Sequence, residues 1–499
     1  MSQTVSQTGS QTGSQTVSER ASQTVCETGS QTVSETGSET VCDPVWRPRL
    51  ARLTRADLRA EEERGVAMRA FITTIGTAIA AAAIVAAQPP PATTAIRAAR
   101  LFDGRSDNLV TDAVVLVQGS RITAAGTRLA VPAGAQLVDL GDATILPGFI
   151  DAHTHITSES SDDWNGDLVS GLRRSVPEAT LRAAEFARRT VMAGFTTVRD
   201  VGAGEYIDVG LRNAIASGMA VGPRMLVAVH ALGARGGHCD NNGFPFQRFG
   251  PEPGIADGIA SGPEQFRDAV RFQVKYGADV IKVCATGGVL SLGDDVGAPQ
   301  LTQAEMDALV EEAHRLGRRT AAHAHGAEGA KVAIRAGIDS IEHGSFLDDE
   351  AVRMMKEKGT YLVPTLMAGE YAGGRKATRK YPPEIAAKAL QALDGRSAAF
   401  KRAVGAGVRI AFGTDSGVSP HGRNAEEFAL MVEHGLSPAA ALRTSVAAAA
   451  LLGVDRITGT IEAGKEADIV GVPGNVLQAI GATEHVRFVM KGGRVVRRD

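Results

Sequence analysis

From about Thr94 onward, short apolar runs alternate with Gly, Asp and Pro turns. Residues 96–102, 113–117, 121–126 and 136–140 read as β-type runs bounded by turn residues. The far end has the same texture, with runs at 467–472 and 486–496. The two ends are therefore expected to join into one small β-sandwich, drawn from 94–147 and 455–499. Between them, apolar runs of strand length alternate with segments of helical periodicity. Eight buried strands are predicted, at 148–153, 196–200, 225–229, 280–284, 320–323, 340–343, 361–364 and 409–413. Residues 304–316 and 327–336 space their apolar side chains as helices do. Repeated βα units over 148–454 predict an α/β fold of the (β/α)₈ barrel (TIM barrel) type. The chemistry of such a barrel sits at the C-terminal ends of its strands.

The beginning of the chain lacks this pattern. Residues 1 to about 44 cycle through tetrads such as Ser-Gln-Thr-Gly, with almost no large apolar side chain. Such text cannot bury enough surface to offset its chain entropy, so 1–67 is expected to be a disordered leader. A four-residue period is also what a short DNA repeat upstream of the true start gives when translated. Met68 and Arg69 then open an apolar run over 71–87, followed by Gln88 and three prolines. A basic start, an apolar stretch and small residues at Val85 and Ala87 predict a secretory signal over 68–87. Cleavage after Ala87 would export the protein to the periplasm or beyond. The alternative is a single membrane anchor, for which the run is short and interrupted by Thr and Gly.

Composition narrows the choice further. The net charge of −3 gives no reason to expect nucleic acid or an anionic membrane as partner. Glycine is abundant, at 57 of 499 residues, as tight βα turns require. Aromatic residues are scarce, so the core must be mostly Ala, Val, Ile and Leu. Of the four cysteines, Cys26 and Cys42 fall in the leader. Cys239 and Cys284 are too few for a disulfide scaffold, and a bridge between them is the less favoured arrangement.

Polar residues worth explaining stand at the ends of the predicted strands. The first strand ends in His153-Thr154-His155, whose histidines share one face. Alone, the pair also suits two surface histidines. The fourth strand carries Lys282 inside an apolar run. A lysine there either reaches out to solvent or is made anionic by CO₂ as a carbamate able to bridge metals. The fifth strand ends in His323-Ala324-His325, the sixth in Glu342-His343-Gly344, and the eighth in Thr414-Asp415. Any one of these suits a structural role. The whole set at one barrel mouth points to metal binding with N and O ligands, Zn²⁺ first and Mn²⁺, Co²⁺ or Fe²⁺ next.

The ordered set His-x-His, Lys, His, His, Asp resembles the amidohydrolase superfamily over about residues 94–499. Leu146-Pro147-Gly148-Phe149-Ile150-Asp151-Ala152-His153-Thr154-His155 looks like its opening signature. Lys282-Val283-Cys284-Ala285-Thr286-Gly287-Gly288 and Ile341-Glu342-His343-Gly344-Ser345 are more specific. They are similar to the branch with imidazolonepropionase-like proteins, Xaa-Pro dipeptidases and carboxypeptidases, and bacterial ochratoxin-hydrolysing amidohydrolases. Mononuclear members lack the bridging lysine, so Lys282 favours a binuclear amide or dipeptide hydrolase. The resemblance implies that His153, His155 and Asp415 hold one metal and that His323 and His343 hold the second. Carboxylated Lys282 would bridge the two. It implies further that His325 lies near the substrate carbonyl and that Asp415 shuttles the proton.

His238, in the Gly236-Gly237-His238 loop, is a candidate substrate contact, with His230 a further one. Arg235 beside His238 could supply a charge for a substrate carboxylate. His314, His421, His434 and His485 read as structural or solvated. The implied substrate is a small N-acyl amino acid or dipeptide, and relatives imply a homo-oligomer, an octamer among the forms. Rival readings are hydrolysis of a lactam, cyclic amide or phosphotriester on the same site. From another class comes a secreted binding protein on a dead barrel, which would not need the full ligand set.

Overall fold

The computed structural model describes residues 92–240, 242–245 and 251–499. The expected leader at 1–67 and signal at 68–87 lie outside the described residues. Strands β1 (Thr93–Leu101), β2 (Val110–Gln118), β3 (Arg121–Thr127), β4 (Gln136–Asp139) and β5 (Ala143–Pro147) come first. In β2, Ala113, Val115 and Val117 join the sandwich core at the period of two that a strand imposes.

The barrel strands follow: β6 (Phe149–Thr154), β7 (Phe195–Asp200) and β8 (Arg224–Val227) form one parallel group. Two short strands, β9 (Gly233–Ala234) and β10 (Ile259–Ala260), pair with each other beside it. The second parallel group is β11 (Val280–Cys284), β12 (Arg319–Gly326), β13 (Ser340–Phe346) and β14 (Tyr361–Val363). Backbone hydrogen bonds close the ring at both gaps. The Leu232 N–H donates to the Lys282 carbonyl, and the Cys284 N–H donates to that of Leu232, each at 2.8 Å. On the other side, Leu362 donates to Arg409 (2.8 Å) and Ala152 donates to Phe412 (2.9 Å). Seven of the eight predicted positions are regular strands. The eighth, at 409–413, lies in its expected place but pairs through the isolated bridge Leu362–Ile410. The segment is closely packed: a Cβ on Gly413 would lie 2.3 Å from Val363 and 3.0 Å from His153.

Helices between the strands follow the sequence signals. The helix Gln303–Arg315 starts at a capping box formed by Thr302 and Glu305, and buries Met306, Leu309, Val310 and Ala313. The helix Ala327–Ala336 stops at Gly337, whose φ of 93° suits a residue without Cβ. Among the described residues no helix is long and apolar enough to cross a membrane.

Strands β15 (Ile469–Pro473), β16 (Phe488–Lys491) and β17 (Arg494–Arg498) return to the first five. β15 runs antiparallel to β5, from Ile469 opposite Pro147 to Pro473 opposite Ala143. The hydrogen bonds run through one eight-stranded sheet that curls back on itself. Ile122 at its far edge donates to Lys465 (2.9 Å), and Ala467 donates to Ser120 (2.8 Å). The two limbs enclose one core that includes Ile96, Val115, Ile145, Ile469 and Phe488.

Candidate metal centre

The strand ends of the barrel converge on one cavity of about 300 Å³. Its walls include His153, His155, Lys282, His323, His325, His343 and Asp415. All are buried except His155, which is half-buried. Asp415 turns through a φ of 61°, with its own N–H donating to the His153 carbonyl at 2.7 Å. That turn leaves Oδ1 3.5 Å from His153 Nε2 and 3.4 Å from His155 Nε2. His343 also has positive φ, 71°. Two non-glycine residues held in this costly region at one site suggest a geometry selected for function. One ligand atom each from His153, His343 and Asp415 lie within 4.8 Å of one another.

The imidazoles are fixed from behind. Nδ1 of His153 meets Glu342 Oε2 (2.7 Å), and Nδ1 of His155 meets the Gly202 carbonyl (3.0 Å). Nδ1 of His325 meets Ser345 Oγ and that of His343 meets Thr365 Oγ1, both at 2.8 Å. Nδ1 of His238 meets Ser291 Oγ at 2.7 Å. Each Nε2 is thereby left for the cavity, the arrangement that orients metal-bound histidines. Nε2 of His323 is buried without a hydrogen-bond partner. An orphaned buried nitrogen costs about 1–3 kcal/mol, a cost that a metal ligand bond removes.

The electrostatics agree. Burial holds His323, His325 and His343 well below the usual imidazole value, which keeps them neutral. Burial lowers His155 to about 4. Burial pushes Asp415 up, but His153 and His155 outweigh it and hold Asp415 at about 2. Burial lowers Lys282 to about 8, against the pull of Glu342 and Asp415. The site residues therefore fit divalent metal.

Two expected substrate contacts do line the cavity: His325, and His238, whose ring stacks on His323 at 4.2 Å. Two do not. Arg235 is exposed, lines a neighbouring cavity, and lies 3.7 Å from Glu252. Its loop turns at Gly236 and carries the side chain outward. His230 packs its ring 5.9 Å from that of Tyr206, outside the cavity walls. Its N–H donates to Gln273, which ties it to the helix Pro263–Lys275 instead.

The unfavoured bridge exists: Cys239 and Cys284 are joined, with Cα atoms 6.0 Å apart. Leu232 docks the loop on β11 and brings the two thiols together. Of the remaining histidines, His314 pairs with Asp339 (2.8 Å), His421 stacks on Phe186, and His434 meets Ser397 (3.1 Å). Two groups were not singled out from sequence. Glu342 is buried between His153 and Arg199, the latter at 2.8 Å. A carboxylate beside a histidine in an apolar strand was its signal. Arg396, from the helix Pro383–Ala406, also lines the cavity.

Comparison with known proteins points the same way. The amidohydrolase family matches residues 144–496. Ochratoxinase of Aspergillus niger is 36% identical over 373 residues, covering 71% of this chain and 75% of its own. The crystal structure of a Xaa-Pro dipeptidase with bound methionine superposes with a TM-score of 0.77 at 38% identity. It covers 81% of this chain and 99% of that one. A prolidase complexed with N-methylphosphonate-L-proline gives a TM-score of 0.74 at 29% identity, over 82% of this chain and 100% of that one. The chain belongs to the amidohydrolase family, as a hydrolase whose barrel mouth gathers residues compatible with divalent metal.

Proposed function

We propose that the chain cleaves the amide bond of a small N-acyl amino acid or dipeptide, with two divalent metals, Zn²⁺ first among them. His153, His155 and Asp415 would hold one metal, His323 and His343 the other, and Lys282 would bridge both as its CO₂-derived carbamate. Lys282 supports this role: it is buried in the cavity, and among the described residues no carboxylate pairs with its ammonium. When bound, the metals supply an acidified water at neutral pH and a Lewis acid for the carbonyl.

The side chains do the rest. Asp415, held as a carboxylate, accepts the proton of the attacking water and hands it to the leaving nitrogen. His325 receives the Ser345 hydroxyl at Nδ1, keeps its proton on Nε2, and donates to the developing oxyanion. We also place the enzyme in an oxidising compartment, where a Cys239–Cys284 bridge persists.

The observation that carries this reading is the set of histidines anchored at Nδ1 around a cavity that also holds Lys282 and Asp415. The test combines metal analysis with turnover of N-acyl amino acids and dipeptides. About two metals per chain and cleavage at the amide are expected. A metal-free protein that cuts none of them would leave a binding scaffold instead.

A further inference from the structure

Arg396 carries a charge that nothing in the site neutralises. It is only 5% exposed, yet it lines the cavity beside His325 and Asp415. Burying a guanidinium is unfavourable unless a partner meets it. Its Nη1 donates to the Thr365 carbonyl at 2.8 Å, and its Nε is buried with no partner. Among the described residues no carboxylate lies within ion-pair distance of it.

The carboxylates whose charge reaches it are Glu427, Asp415 and Glu370, and each is engaged elsewhere. Glu427 accepts the N–H groups of Leu366 and Met367, at 2.9 and 2.7 Å. Glu370 pairs with Arg375 at 3.1 Å. Asp415 faces His153 and His155.

The guanidinium is also seated. A Cβ on Gly369 would lie 2.5 Å from Nη1, so the absence of a side chain there makes its room. Thr365 grips both sides of the site: its carbonyl takes Arg396, and its hydroxyl holds His343. The cation is thereby fixed relative to the metal ligands. Val289, Leu290, Ala368, Ala372 and Val418 supply apolar wall to the same cavity.

We propose that Arg396 receives the α-carboxylate of the substrate and makes the cavity selective for amides whose nitrogen belongs to a free, apolar amino acid. The inference rests on the amide-hydrolase reading and replaces Arg235 as the charge. A guanidinium offers the two parallel donors that a carboxylate accepts.

The test uses N-acetyl and N-benzoyl derivatives of Phe, Leu and Met, each as free acid and as C-terminal amide. Cleavage of the acyl–nitrogen bond is followed in the metal-loaded protein. The parent should favour the acids by at least about 100-fold in kcat/KM, the order seen when a charged hydrogen-bonding group is left unpaired. Arg396→Met should bring that ratio near one, mainly through KM for the acids, and Arg396→Lys should fall between. Gly369→Ala, which displaces the guanidinium without removing it, should lower the ratio as well. Arg235→Ala should keep the parent's ratio.

A second readout needs no turnover: Phe, Leu or Met as free product should raise the melting temperature of the parent and not of Arg396→Met. A folded Arg396→Met that keeps the acid preference or the product protection overturns the assignment alone. A parent that cuts acid and amide alike overturns both the assignment and carboxylate recognition. If no derivative is cut, the amide reading fails, and product protection lost in Arg396→Met still supports the carboxylate site. Absence of protection in the parent as well overturns it.

Discussion

Oε2 of Glu342 lies 2.7 Å from Nδ1 of His153, and both side chains are buried. The other oxygen of Glu342 is held by Arg199 at 2.8 Å and Ser340 at 2.5 Å. Burial alone would raise Glu342, but Arg199 and His153 hold it at about 2, so it stays charged. A charged acceptor at Nδ1 keeps the lone pair of His153 at Nε2, toward Asp415. Replacing Glu342 with Gln should weaken metal binding by about 10–100-fold, the usual effect of losing such a partner. Titration of metal into the stripped variant measures it; affinity equal to the parent's would show that Glu342 serves stability only.

Lys282→Ala should lose metal and activity together. Small carboxylic acids supplied in the buffer should restore part of both by standing in for the carbamate. Metal content by mass spectrometry decides the point, and a fully loaded, fully active variant would sink the bridging role.

Asp415→Asn should cut turnover by several orders of magnitude while circular dichroism shows an intact fold. The backbone N–H that bonds to His153 survives the substitution. A positioned proton acceptor contributes about 10²–10⁴ in rate, so activity within about tenfold of the parent removes Asp415 from proton transfer.

The Cys239–Cys284 bridge closes a loop with a sequence separation of 45 residues. On the chain-entropy account such a loop stabilises by about 4 kcal/mol. Reductant, or the pair Cys239→Ser with Cys284→Ser, should lower the melting temperature and loosen His238 over His323. Alkylation without reduction should leave both thiols unlabelled. Labelling at both in protein from an oxidising host would refute the bridge.

Export makes a separate forecast. If the signal-like run beginning at Met68 is cleaved as the sequence leads one to expect, the mature chain starts near Gln88. N-terminal peptides of the native host's enzyme, read by mass spectrometry, should begin there. Peptides from residues 1–60 in the mature enzyme would refute both the late start and the cleavage.

Some of this was legible in the chain and some was not, for physical reasons. A strand's period of two and the barrel rule were enough to gather His153, His155, His323 and His343 at one mouth. The same rules say nothing about where a loop side chain points, so Arg235 and His230 looked like neighbours of His238 and are not neighbours of the cavity. Arg396 sits in a 24-residue helix whose text carries no local signature of a site. Only folding reveals that this helix brings a side chain to the cavity wall. Two lone cysteines 45 residues apart likewise carry no sign of pairing until Leu232 docks on β11. The sandwich at the chain ends was legible as two sets of β runs, but its continuity as one curled sheet depends on long-range pairs such as Ile122 with Lys465.

The pairing of β5 with β15 also sets a timetable for synthesis. Pro147 leaves the ribosome roughly 320 residues before Ile469, its partner, which is some tens of seconds at about 5–20 residues per second. Until then one edge of β5 has no neighbour and stays open to any passing strand. A chain that must cross a membrane before folding gains from that delay, because its first domain cannot close early. A chain cut short before Ile469 meets only the hazard: it would carry every candidate metal ligand and still leave that edge of β5 unpaired.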